Sequence, residues 1–597
     1  MKKSLIPRPE HPRPQFQRRS WINLNGTWQY EADRGDSGLE RGLLKRRLAG
    51  KIVVPFCPES ELSGVATTDH LNAVWYRRQV EIPGSWKDRR ILLHFQAVDY
   101  DTTVWLNGRK VARHRGGYTP FSADLTDHVT AGKRATIVVR ARDDHRSAKP
   151  QGKQAATVQN RGCHYTRSTG IWQTVWMESV PLRASLQRPR ITPDVGGARF
   201  LVEQPILGSE RTGLKIRATL RDRKGKVAAA TVRADRDFCP TLTLDIPAKR
   251  KRFWSPEDPF LYDLVLELTD RGGQVIDRVS SYAGLRSIVI RGKAVLINDK
   301  PVFQRLVLDQ GYYPTGIYTA PTDRDLRQDI LLSKRAGFNG ARLHEKVFEE
   351  RFLYHADRLG YLVWGEFPDW FGPGDGGWPD QPSKYSQPTF VGQWLEVLAR
   401  DYNHPSIIGW CAFNETHARI GDRITTHDDA LRASFLAAKA MDLTRPVLDT
   451  SGYSHRLPES DIYDAHDYTQ DLSVFARHYS DPGGSFPTIS EAPEIESIPY
   501  GGQPFFVSEF GGAWWNPDDP DGWGYGERPK DLEAFYERFA GLCRTLLENR
   551  NMFGYCYTQL TDVFQEQNGI ALFDRKPKFD LKRLRDAQKT KAAIERS

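Results

Sequence analysis

The chain has 597 residues, with 85 Lys and Arg against 75 Asp and Glu, a net charge of +10. That imbalance is small for the length and the signs are interspersed, so the basic runs at 249–252 and 576–578 are expected to be solvated faces, and no nucleic-acid partner is expected. No apolar run is long enough to span a bilayer, the first fifteen residues lack a leader-like apolar core, and the six cysteines lack metal-type spacing. The expectation is a cytoplasmic protein with no membrane partner, no cofactor and no metal.

Residues 1–182 predict a jelly-roll-like β-sandwich. The segments 74–82, 90–98 and 102–111 are rich in β-branched and aromatic residues, and Asn107-Gly108 signals a tight hairpin. Residues 183–287 predict an immunoglobulin-like β-sandwich, with paired strands at 214–220 and 226–232 and again at 263–269 and 274–282. From 288 to 597 strand and helix alternate. Thr322 is placed to cap a helix that carries Asp325 in its first turn and stops near Gly337. Eight strand candidates follow in order, at 302–308, 338–344, 361–366, 406–413, 447–451, 461–468, 504–509 and 552–560. This is the pattern of a (β/α)8 barrel. It is broken by a missing helix between 451 and 461 and by an insertion at 469–503 that has no regular period.

Two carboxylates end apolar strands of this barrel, Glu415 after 406–413 and Glu509 after 504–508. Catalytic groups of such barrels project from that end of the strands, and glycosidic bond cleavage needs two carboxyl groups facing one anomeric carbon. Asn414 is placed to bond a sugar hydroxyl, and Tyr468 to hold Glu509 ionised through its O–H. Glu415 must begin protonated to serve as the acid. Arg342, His344, Glu366, Asp309, His466 and Asp467 lie at or just past other strand ends, with Gln559 ending the last. The histidines are expected to meet sugar hydroxyls. Trp370, Trp378, Trp514 and Trp515, in Gly/Pro-rich loops, are candidates for stacking on a sugar face.

RDYNHPSIIGWCAFNE (400–415) and FFVSEFGG (505–512) resemble the acid/base and nucleophile motifs of glycoside hydrolase family 2. WINLNGTWQY (21–30), TGIWQTVWME (169–178) and WSPEDPFLYDL (254–264) are similar to the same family's accessory domains. The resemblance implies Glu415 as acid/base, Glu509 as nucleophile, a covalent glycosyl–enzyme intermediate and exo action on a terminal β-linked sugar. β-Glucuronidases of the family carry an Asn-x-Lys motif that grips the sugar carboxylate. Here that stretch is Glu566-Gln567-Asn568, with no lysine. The expectation is therefore a neutral substrate, first a β-galactoside, with a galactofuranoside or arabinoside as alternatives and a glucuronide disfavoured. Asn568 joins the sugar-contacting candidates. A catalytically silent carbohydrate-binding scaffold, transglycosylation in place of hydrolysis and assembly as a homo-oligomer remain open at this level.

Overall fold

A computed structural model describes the chain apart from residues 1–5, 145–146, 370–387, 416–419, 453, 481–496, 517–518, 520–521 and 597. The first unit packs a four-stranded antiparallel sheet (Trp21–Asn23, Val175–Pro181, Arg89–Phe95, Phe121–Asp124) on a six-stranded one running from Gly50–Val54 at one edge to Arg109–Arg115 at the other. Alternate residues of both sheets, among them Val104, Leu106, Ile137, Val139, Leu93 and Phe95, point inward and form its core. At the hairpin, Asn107 and Gly108 both take positive φ (51° and 84°), the geometry that lets a two-residue turn follow strand twist. The second unit faces a three-stranded antiparallel sheet against a four-stranded one, the arrangement of an immunoglobulin-like sandwich, with a short pair of Ser185–Leu186 and Ile206–Leu207 beside them.

The third unit is a barrel of parallel strands β1 (Gln304–Asp309), β2 (Gly340–Leu343), β3 (Leu362–Glu366), β4 (Ile407–Cys411), β5 (Val447–Leu448), β6 (Tyr463–Asp467), β7 (Phe505–Gly511) and β8 (Met552–Thr558). Hydrogen-bonded neighbours run β5-β4-β3-β2-β1-β8-β7-β6. The seam between β5 and β6 carries no ladder. It is bridged by Asp461 N donating to Val447 O (3.2 Å) and by the Asp464 carboxylate, which accepts from Gly452 N (3.1 Å) and the Ser451 hydroxyl (3.0 Å). Among the described residues, no helix lies between β5 and β6, so a short strand and a side-chain clamp stand where a full βα unit would be.

Helices α1 (Asp323–Ala336), α2 (Glu350–Leu359), α3 (Pro388–Asp401), α4 (Thr426–Met441), α5 (Leu472–His478), α6 (Leu532–Glu548) and α7 (Leu581–Gln588) surround the barrel. Thr322 and Asp325 cap α1 reciprocally, and Gly337 ends it at φ +106°, a conformation glycine adopts without strain. The 469–503 insertion is not wholly irregular, because it carries α5, capped by Asp471.

Buried arginines join the units. Arg18 bonds Glu178 (3.1 Å) and Asp277 (2.9 Å), linking the two sandwiches. Arg286 donates to the carbonyls of Pro405 and Ile407 (both 2.9 Å), tying the second sandwich to the start of β4. Arg18 is buried against two carboxylates, which such a charge needs, whereas Arg286 is held by carbonyls alone. No helix of the described residues is long and apolar enough to cross a membrane.

Candidate active site

Backbone irregularities aim the two carboxylates. The ladders on both sides of β7 shift register, between Ala465 and His466 towards β6 and between Val507 and Phe510 towards β8, so Glu509 sits at a bulge that breaks the in–out alternation. Glu415 follows β4 on an extension that Asn414 pairs with Ser451, and its N–H donates to Ser451 O (2.9 Å). Glu415 has φ +48°, a left-handed conformation that a residue with a Cβ holds only when its surroundings impose it. One oxygen of Glu415, one of Glu509 and one ring nitrogen of His466 lie within 4.8 Å of one another.

Arg342, on β2, is fully buried and makes four contacts. It donates to Glu366 Oε1 (2.6 Å), Glu509 Oε1 (3.1 Å), Ser508 O (2.7 Å) and Asn414 Oδ1 (3.2 Å). It thus orients the nucleophile candidate, the neighbour of the acid candidate and the β3 carboxylate at once. Glu366 also accepts from His344 Nδ1 (3.1 Å) and Glu345 N (3.3 Å), which uses its lone pairs on protein partners. Tyr468 donates its hydroxyl to Glu509 Oε2, and its ring stacks on Tyr525 with centroids 3.4 Å apart. His466 bonds Glu415 Oε1 through Nδ1 (2.5 Å) and Ser451 Oγ through Nε2 (3.0 Å).

Burial alone would push the Glu509 carboxyl up. The His466 imidazolium, the Arg342 guanidinium and the Lys153 ammonium outweigh it and hold the group at about 2. His466 shows the converse: burial works against its charge, but Glu509 and Glu415 raise it above the ordinary histidine value. Burial, Lys153 and Arg342 drive His344 well below that value. With a neutral ring and its Nδ1–H directed at Glu366, His344 presents Nε2 as an acceptor. Among the described residues, His344 Nε2 and Gln559 Oε1 are buried without a hydrogen-bond partner, which suits groups that a polyhydroxyl ligand would satisfy.

Not every predicted residue joins this cluster. Asp309 ends β1, yet its carboxylate turns to Gly311 N (2.9 Å) and into the field of Asp329, Arg575 and Lys346. Burial and Asp329 push it up to about 7. Asp467 follows His466 and so faces the other side of β6. There it accepts from Thr469 N (3.0 Å), His478 Nδ1 (2.9 Å) and Tyr479 Oη (3.0 Å), anchoring α5. Both expectations of sugar contact are corrected on these grounds. Gln559 Nε2 donates to Asn568 Oδ1 (2.8 Å) and Asn568 Nδ2 to Glu566 Oε1 (3.1 Å), a chain of polar side chains bonded to one another. Trp514 and Trp515 are half-buried in the loop after β7, with the Arg528 guanidinium 5.4 and 5.3 Å from their rings. Trp370 and Trp378 lie outside the described residues. Glu415, His466 and Glu509 are the one trio of described residues spaced to share a metal ion. An ion there would compete with the His466–Glu415 hydrogen bond for the same lone pairs.

Residues 61–177 match the model described as "Glycosyl hydrolases family 2, sugar binding domain", 184–286 match "Glycosyl hydrolases family 2" and 288–518 match "Glycosyl hydrolases family 2, TIM barrel domain". The chain belongs to glycoside hydrolase family 2. It is a β-glycosidase of that family, with a carbohydrate as its substrate. A β-glucuronidase of Paenibacillus borealis is 29% identical over 465 residues, covering 71% of this chain and 72% of that protein. A β-galactosidase of Thermoanaerobacter pseudethanolicus is 25% identical over 386 residues, covering 64% of this chain and 48% of that longer protein. A β-glucuronidase structure from Ruminococcus gnavus, in complex with N1-substituted uronic isofagomine, superposes with a TM-score of 0.75 at 20% identity, covering 98% of this chain and 100% of that one. The structural likeness establishes the shared three-unit fold.

Sequence reasoning missed several members of this family-2 pocket. Ser451 and Ser508 converge on Asp464 behind His466, and Tyr525 backs Tyr468. Lys153 and Tyr165 arrive from the first sandwich. Tyr165 donates its hydroxyl to Glu566 across 401 residues of sequence. Only the tyrosines carried a signal, as aromatics in polar loops beside the pocket. Nothing local distinguished Lys153.

Proposed function

We propose that this chain is a retaining exo-β-glycosidase acting on neutral terminal sugars, with a β-galactoside as the first substrate to test. Glu509 attacks the anomeric carbon while Glu415 protonates the leaving oxygen, and Glu415 then takes a proton from the water that releases the sugar. The observation supporting this is the separation of the two carboxyl oxygens, within 4.8 Å. Oxygens that close favour the retaining arrangement, with carboxyl groups roughly 5–5.5 Å apart, over the roughly 6.5–9.5 Å that leaves room for water in inverting sites. Arg342, His466 and Tyr468 keep Glu509 ionised, as a nucleophile must be. The case for a neutral sugar is Glu566, buried where the glucuronidase motif has no acid, and the absence of lysine at 566–568.

The second reading is a β-glucuronidase. The names of the relatives favour it, and so does the buried Lys153 ammonium, whose charge helps to hold Glu509 ionised. A panel of nitrophenyl β-glycosides separates the two. The proposal expects kcat/KM to be highest for a neutral glycoside, galactopyranoside before galactofuranoside and arabinoside. Glucuronide turnover above every neutral sugar overturns the substrate assignment, and no turnover together with saturable sugar binding overturns the enzymatic reading of this chain.

A further inference from the structure

Near the pocket, β6 lacks a regular ladder on either side. Towards β5 there is none among the described residues. Towards β7, Ala465 pairs with Val507 and His466 with Glu509, so Ser508 is the extra residue of a bulge. One buried carboxylate of β6 serves both gaps. Asp464 accepts from the Ser451 hydroxyl (3.0 Å), from Gly452 N (3.1 Å) and from the Ser508 hydroxyl. Burial pushes Asp464 up, but the hydrogen bond and charge of His455, which lies 3.1 Å from it and 2.8 Å from Asp449, hold it below the ordinary carboxylate value. An ionised carboxylate only accepts, so both serines spend their protons on it.

Ser451 then reaches Glu415 twice. Its carbonyl accepts from Glu415 N (2.9 Å), at the residue with the left-handed backbone. Its hydroxyl oxygen accepts from His466 Nε2 (3.0 Å), whose Nδ1 meets Glu415 Oε1 (2.5 Å). Gly452 allows the turn to lie on that ring, because a Cβ there would stand 2.9 Å from His466 Cε1 and Nδ1. Ser508 adjoins Glu509 and is held by its hydroxyl, on Asp464, and by its carbonyl, which accepts from Arg342 Nη1 (2.7 Å).

We propose that Asp464 is a positioning residue that sets the two catalytic carboxylates against each other, through Ser451 and His466 to Glu415 and through Ser508 to Glu509. The roles of Glu415 and Glu509 are those of the proposed function, on which the inference rests. The two arms serve different parts of the reaction. The Ser451 arm aims the acid, which matters when the leaving oxygen is poor. The Ser508 arm aims the nucleophile, which matters for every substrate. Misplacing a reacting group by about 1 Å costs up to about 100-fold, so losing one hydroxyl should cost about tenfold in its own arm and little in the other.

The test uses alkyl and dinitrophenyl glycosides of the sugar that the wild type prefers. Two quantities are measured on the wild type, Ser451→Ala, Ser508→Ala, Asp464→Asn, Ser451→Thr and Ser508→Thr. The alkyl-to-dinitrophenyl ratio of kcat/KM reports the acid. The rate constant of inactivation by the 2-deoxy-2-fluoro dinitrophenyl glycoside reports the nucleophile. Neither depends on the active fraction, so partial misfolding does not mask the result. Ser451→Ala should lower the ratio about tenfold and leave the inactivation rate within about twofold. Ser508→Ala should do the reverse. Asp464→Asn should lower both, and the threonine variants, which keep the hydroxyl, should stay near the wild type. If Asp464→Asn does not fold, the two serine variants decide. Serine variants that share one pattern, or that leave both quantities unchanged, would overturn Asp464 as the positioning residue while leaving the proposed function standing. A wild type that cleaves no glycoside overturns the proposed function and this inference with it.

Discussion

Asp309 and Glu509 make an instructive contrast. Both are buried carboxylates on the last turns of barrel strands, and burial pushes both up. Yet Asp309 comes to rest at about 7 and Glu509 at about 2. Company makes the difference. Asp309 faces another carboxylate, Asp329, with one arginine shared between them. Glu509 is surrounded by His466, Arg342 and Lys153 and accepts from Tyr468. A strand end supplies the address, and the charges around it decide whether the group performs chemistry or holds structure.

The contrast is broken most severely at Glu509. Glu509→Ala is expected to lower kcat by roughly four orders of magnitude or more, the scale expected for a covalent nucleophile, with the thermal midpoint little changed. Glu415→Ala should lose about 10²–10⁴-fold on substrates with poor leaving groups. It should lose far less on activated aryl glycosides, where azide restores turnover and yields a glycosyl azide of unchanged anomeric configuration. Tyr468→Phe removes the hydroxyl bond to Glu509 and should lower kcat about 10- to 100-fold.

His466→Asn removes the cation that most strongly opposes burial at Glu509. Losing a nearby positive charge disfavours the carboxylate, so the acid limb of kcat/KM should move up by about one pH unit. An unmoved limb would mean that His466 does not tune Glu509. Asp309→Asn is expected to leave kcat/KM within about twofold, because the side chain faces away from the pocket. Its effect should fall on stability. The folded value of Asp309 lies above the ordinary carboxylate value near 4, so the folded state binds the extra proton between about pH 4 and pH 7. Wild-type stability from this group is present below that window and is lost as the pH rises through it. Asn carries no charge, so the variant should gain in thermal midpoint relative to wild type between pH 5 and pH 8.

The barrel was legible because its strands are continuous apolar runs that stop at polar residues, and because Thr322 and Asp325 spell a cap in four residues. The same signal located both catalytic candidates. Direction was not legible. His466 and Asp467 are neighbours at one strand end and so face opposite sides, but a register shift just before His466, invisible in the residues themselves, decides which of the two turns inward and which towards α5. Asp309 ends a strand with regular ladders, and it was missed because its partners, Asp329 and Arg575, are distant in sequence. Long-range partners were not legible either. Lys153 reaches the pocket because Gly152 admits a close backbone approach to a loop nearly two hundred residues away, and no local pattern encodes that meeting.

Glu509 is the group expected to bond to the sugar. The direct measurement is to inactivate the enzyme with a 2-deoxy-2-fluoro glycoside bearing a good leaving group, digest it and map the adduct by mass spectrometry. A single fluoroglycosyl adduct on Glu509, released on addition of an acceptor, is the predicted result. An adduct on any other residue, or a product of inverted anomeric configuration from normal substrate, would contradict it.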